Sequence, residues 1–132
     1  LGAWLEHVSI SGLVVALRHP SASVASLRRR NRLPSPVGHR FWRWHMEAVL
    51  DRIDERTLVL RQDLLTGPDH DEEIERARRW LRDVAGLDNI AGVEQRIEVI
   101  DRSLVHHSPT SEGVPTESLA LWQRLLDAPS FT

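Results

Sequence analysis

The stretch HRFWRWHMEAVLDRIDERTLVLRQDLL, residues 39–65, sets the reading of the fold. Trp42, Met46, Val49, Ile53, Leu60 and Leu64 keep a three/four rhythm, and Phe41, Ala48 and Leu58 widen the stripe. That period lays one apolar face along a helix, interrupted where Arg56-Thr57 replaces an apolar residue. The spacing predicts one long helix over about 39–65, roughly 40 Å at 1.5 Å per residue. Before it, Leu33-Pro34-Ser35-Pro36-Val37-Gly38 is a break, because each proline restricts itself and the residue before it. After it, Gly67-Pro68 is a stop, with Gly suited to a left-handed cap.

Outward from this stretch the pattern stays helical. Leu1, Trp4, Leu5, Val8, Leu13 and Leu17 predict a first helix ending near His19-Pro20, with Gly12 in its middle at a cost of about 1 kcal/mol. Ser21 caps a short second helix carrying Val24 and Leu27. Downstream, Asp69 or Asp71 caps a helix whose buried face is Ile74, Ala77, Leu81 and Val84, with Glu72–Arg76 and Glu75–Arg79 pairs outside. Gly86 ends it. Asn89 caps a further helix stepping through Ile90, Val93, Ile97, Ile100 and Leu104, and residues 106–115 are a loop by composition. Thr116 caps a last helix with Leu119, Trp122, Leu125 and Leu126, stopped before Pro129. Sustained strand alternation is missing throughout. The expected fold is therefore all-α: a single domain over 1–132, a bundle of about five helices, divided into a basic helical segment (1–32) and a helical bundle (39–127).

The 132 residues suit one domain, and 41% hydrophobic with 27% charged residues suits a folded globule. Cys, Lys and Tyr are all absent from the sequence. Without Cys there is no disulfide, no cysteine-ligated metal and no thiolate nucleophile. Without Lys there is no Walker-type phosphate lysine and no Schiff base. The longest stretch free of charge and His, Val8 to Leu17, is too short to span a bilayer, and the start lacks the basic region of a signal peptide. A cytoplasmic home and no membrane partner are expected. Opening at Leu1 rather than Met, the chain reads as part of a longer protein.

Charge is divided unevenly. Residues 1–45 hold seven Arg (18, 28, 29, 30, 32, 40 and 43) against Glu6 alone, a net of +6, while residues 46–132 carry a net of −8. Arg28, Arg29, Arg30 and Arg32 end a predicted helix, and Arg40, Arg43 and Trp44 mix guanidinium with aromatic surface. Arg grips phosphate bidentately and aromatic faces stack on bases, so this region is a candidate binding surface for nucleic acid or another polyanion. The same arginines also suit a helix C-terminus or a contact face for a sister subunit.

Few catalytic patterns survive inspection. An Arg-x(4–6)-His pair resembles the signature of the HEPN ribonucleases, in which an arginine and a histidine act at the scissile phosphate. Arg32/His39, Arg40/His45 and Arg102/His107 match it, and composition alone supplies about three such pairs. Position selects Arg40 and His45, which open the long helix inside the basic region. Leu50-Asp51-Arg52-Ile53-Asp54-Glu55-Arg56 resembles the opening helix of the all-helical chorismate mutases, whose sites use a lysine beside arginines; this chain has no Lys. No His-Glu-x-x-His, Glu-x-x-His, Gly-x-Gly or Gly-x-Ser-x-Gly occurs, so neither a metal nor a cofactor is expected. Asp69-His70-Asp71-Glu72-Glu73 reads as an acid-rich helix start, and His106-His107 as loop residues. Trp4, Trp42, Trp80 and Trp122 fall on or beside apolar stripes, so most Trp fill a core, while an exposed Trp44 or Trp80 would mark a docking surface.

The expectation is a non-catalytic helical domain that works by protein–protein contact or self-association. Nucleic-acid binding through Arg28, Arg29, Arg30, Arg32, Arg40 and Arg43 is the alternative, and a ribonuclease using Arg40 and His45 the third.

Overall fold

Leu13-Val14-Val15-Ala16-Leu17 is a short apolar run rich in β-branched residues, bounded by Gly12 and by Arg18-His19-Pro20. Such a run fits a strand in a buried parallel sheet as well as a turn of helix, and tertiary pairing decides between them. In the computed structural model, which describes residues 12–68, 70–87 and 109–132, it is a strand. Strand β1 (Val14–Leu17) is followed by helix α1 (Pro20–Asn31), helix α2 (Ser35–Leu50) and strand β2 (Leu58–Arg61). The chain continues through the short α3 (Gln62–Thr66), α4 (His70–Asp83) and α5 (Thr116–Leu126). The two strands pair in parallel, Val14 opposite Leu58 and Leu17 opposite Arg61, with α1 and α2 forming the crossover between them.

The all-α expectation is thus corrected. Helix makes up 59% of the described residues, in five helices, but a two-stranded parallel sheet sits among them, and the fold is mixed α/β. The predicted first helix reaching His19-Pro20 is overturned at its C-terminal part, where β1 lies; residues 1–11 fall outside the described residues. The predicted long helix over 39–65 is overturned as well. It starts earlier, at Ser35, and ends at Leu50.

Local side-chain chemistry explains that ending. Arg52 and Ile53 donate to carbonyls three residues back (2.9 and 3.3 Å), which tightens the last turn. Asp54 and Thr57 then close on each other: Thr57 Oγ1 donates to Asp54 Oδ1 (2.8 Å), accepts from Asp54 N–H (3.1 Å), and Arg56 N–H donates to Asp54 Oδ1 (3.0 Å). These bonds offer the backbone an alternative to the helix ladder. Beyond the turn, Leu58-Val59-Leu60 gains more from pairing with β1 than from prolonging the helix.

Three caps differ from expectation. His19, not Ser21, caps α1, its Nδ1 accepting from Ser21 N–H (3.3 Å). Gly67 follows α3 with extended backbone (φ −89) rather than in the left-handed region. The helix from Thr116 to Leu126 lies within its predicted span, but its N-cap is Pro115, with no side-chain cap hydrogen bond, and not Thr116. The predicted helix over Ile90–Leu104, together with Trp4 and His106-His107, lies outside the described residues.

The core joins Val15 and Leu17 of β1, Val24 of α1, Trp42 of α2, Val59 of β2, and Leu121, Trp122 and Leu125 of α5. Burying each large apolar side chain stabilises by about 1.5–3 kcal/mol relative to exposure. Gly38 lets α1 and α2 approach closely: a Cβ there would lie 2.9 Å from Val24 Cγ1. Helix α4 buries Trp80, whose indole N–H donates to Arg56 C=O (2.6 Å). It also buries Glu73 of the acid-rich helix start, only 4% exposed. Glu73 Oε1 accepts from Arg61 N–H (3.0 Å) and from Arg76 (2.7 Å), so a buried carboxylate is fully engaged. Arg76 also donates to the carbonyls of Val59 and Phe131, and Phe131 N–H donates to Thr57 C=O (2.9 Å).

Candidate anion-binding site

Where β1 ends, Arg18 turns the chain toward α1. On α1, Ser23, Ser26, Leu27 and Arg30 fall at i, i+3, i+4 and i+7, the spacing of one helix face. Arg18 and this face line a niche of about 310 Å³, walled on its α2 side by Trp42, His45 and Met46. Ser23 Oγ donates to Arg18 C=O (3.3 Å), holding the turn to the first turns of α1. His45 Nδ1 donates to Phe41 C=O (2.9 Å), which fixes the ring against its own helix.

The electrostatics are one-sided. Among the described residues no acidic side chain lines the niche, and residues 18–43 contain none. Arg18 Nε is buried and has no hydrogen-bond partner, in contrast to the carboxylate-paired Arg61 and Arg76. A buried N–H of a cation without an acceptor costs free energy that an anion would recover.

The sequence-predicted binding residues scatter around this niche. Arg30 lines it. Arg28 and Arg29 line a separate groove of about 550 Å³, together with His39 and residues 112–114. Arg32 follows α1 in the left-handed region (φ 55), its N–H bonded to Arg28 C=O, so it terminates the helix. Arg43 Nη1 donates to the buried Ser118 Oγ (3.3 Å) and ties α2 to α5. Arg40 and Trp44 line an open surface with Val37, Phe41 and Glu47. Trp44 is 67% exposed, and Trp80 is buried.

The Arg40/His45 pair does not converge. Five residues apart on a helix, the two side chains point about 140° from each other, and among the described pockets none is lined by both. Sequence reasoning passed over Arg18 and Ser26. The signal was present in the Arg18-His19-Pro20 end of an apolar run, but it becomes a site only once that run is a strand. Among the described residues no group of three His, Asp or Glu could hold a metal ion, and no helix is long and apolar enough to cross a membrane.

Comparison of the chain with protein-family models, curated proteins and solved structures finds no match.

Proposed function

We propose that this chain binds a phosphate-bearing small molecule in the niche between Arg18, Ser26 and Arg30. The observation that carries this reading is Arg18 itself, a guanidinium with a buried, unpartnered N–H beside serine hydroxyls and a second arginine. The place supports it too. In open parallel α/β arrangements, ligands bind outside the carboxyl ends of the strands, and Arg18 directly follows β1. Guanidinium presents a planar fork that matches phosphate oxygens, and Ser26 Oγ supplies a further donor. This narrows the polyanion expectation from a broad arginine patch to one niche.

Titration with inorganic phosphate and with pyrophosphate, followed by calorimetry, tests it. Arg18→Met keeps most of the side-chain bulk and removes the fork. It is expected to weaken binding about tenfold or more, the scale of one charge-assisted hydrogen bond, while Arg40→Met leaves binding unchanged. Equal affinity for the wild-type chain and Arg18→Met would sink the proposal.

A second reading, protein docking, has its own observation. Val37, Phe41 and Trp44, at 49%, 45% and 67% exposed, share the outer stripe of α2. Exposed aromatics on one face favour a partner surface, and a shift in Trp emission on adding a partner, lost in Trp44→Phe, would report it.

A further inference from the structure

Among the described residues the sheet has one covered edge and one open edge. Leu58 N–H donates to Leu13 C=O (2.8 Å), and this bond fixes the phase of the parallel ladder. The backbone groups of Leu13, Val15 and Leu17 face β2, so those of Val14 and Ala16 face away from it; likewise Val59 and Arg61 face away from β1. On the β2 side three of the outward groups are engaged, and Val59 is buried. Arg61 N–H is held by Glu73, Val59 C=O by Arg76, and Thr57 C=O by Phe131. On the β1 side the outward N–H and C=O of Val14 and Ala16 have no hydrogen bond among the described residues.

Natural edge strands are usually blunted by charge, proline or a bulge. Strand β1, Val14-Val15-Ala16-Leu17, has none of these. Val14 is 46% exposed, and beside the edge lies an apolar groove of about 550 Å³ walled by Trp44, Met46, Ala48 and Val49 of α2. A two-stranded sheet with such an edge is an incomplete one.

We infer that the open edge of β1 is the self-association surface of this chain: two copies pair β1 against β1 in antiparallel fashion about a two-fold axis at Val15. In that register Val14 exchanges both hydrogen bonds with Ala16 of the partner subunit, and the reverse pair forms by symmetry. Every outward group of the edge is then satisfied. The β2 edges end up outermost in a β2–β1–β1–β2 sheet, and because Glu73, Arg76 and Phe131 seal them, growth stops at two copies. The occupant is a second copy because the edge and its apolar flank are self-complementary and the opposite edges are closed. This surface is separate from the phosphate niche and does not depend on it.

Light scattering across a dilution series, combined with amide hydrogen exchange, tests the inference. The expected result is a dimer in which the Val14 and Ala16 amides exchange slowly. Ala16→Pro removes an outward N–H, a position where proline is tolerated in an edge strand, and should give a folded monomer. Val14→Lys introduces an edge charge and should do the same, so the inference stays testable if one variant fails to fold. A chain that is monomeric at every concentration overturns it, whether the Val14 and Ala16 amides are open or are covered by another part of the same chain. A dimer that survives both substitutions overturns it too.

Discussion

At His19 one lone pair does the capping. Nδ1 accepts from Ser21 N–H at the start of α1, and the ring lies edge-on to the core residue Trp122 at 5.3 Å. Burial lowers the His19 pKa from 6.5, outweighing the attraction of Asp63, and His39, 5% exposed, is lowered by burial and by Arg43. Both histidines are therefore neutral in the folded state at a pH where the unfolded chain already takes up protons. Stability is fully present above pH 6.5 and falls as the pH drops below it. His19→Asn keeps a good helix cap that does not titrate. Urea denaturation at pH 7.5 and 5.5 should show a smaller loss of stability in this variant than in the wild-type chain; an unchanged loss would mean His19 contributes nothing to it. Asp63 acts in a lower window. Burial raises its pKa, but the bond and charge of Arg61 outweigh that and hold it below 3.8, so its contribution is lost only as pH falls beneath that value.

At the scale of elements, β2 shows why periodicity misled. Leu58 and Leu60 fit the helical stripe of residues 39–65 by spacing, and a short apolar run carries no mark that separates strand from buried helix. The deciding information lay in Asp54 and Thr57, four-residue turn chemistry hidden inside a helical pattern, and in Val14–Leu17, some forty residues away along the chain. Helices α4 and α5 were legible because their stripes are continuous and Pro or Gly bounds them, whereas the stripe of α2 runs on past Leu50 with no Pro or Gly to stop it. Glu73 was misread, since a carboxylate in an acid-rich first turn looks solvated until Arg61 and Arg76 close over it. Glu73→Ala leaves the Arg76 guanidinium without its carboxylate, held only by the Val59 and Phe131 carbonyls, and leaves the Arg61 N–H unpaired. It should cost about 3–5 kcal/mol, as expected for breaking a buried ion pair from one side, read as a drop in the denaturation midpoint. A variant as stable as the wild type would show that the clamp contributes little.

At the scale of the whole molecule, the site was half legible. The excess of arginine in the first third pointed to anion binding, and Arg30 of that group does line the niche. The rest of the group is spent on other tasks: Arg43 ties two helices together and Arg32 terminates one. No pattern along the chain could show that Arg18 and Ser26 converge, because they meet only across a strand-to-helix turn set by long-range pairing. The C-terminal segment carries one more consequence. Phe131 reaches back to Thr57 and Arg76 and so helps to shut the outer side of β2. Phe131→Pro removes the N–H that covers the Thr57 carbonyl and leaves Val59 and Arg61 engaged by Arg76 and Glu73. A protomer opened at that one point of its outer edge has a weaker stop against a further neighbour. The variant should scatter more light on standing than the wild-type chain. Phe131 would then act as a stopper for assembly.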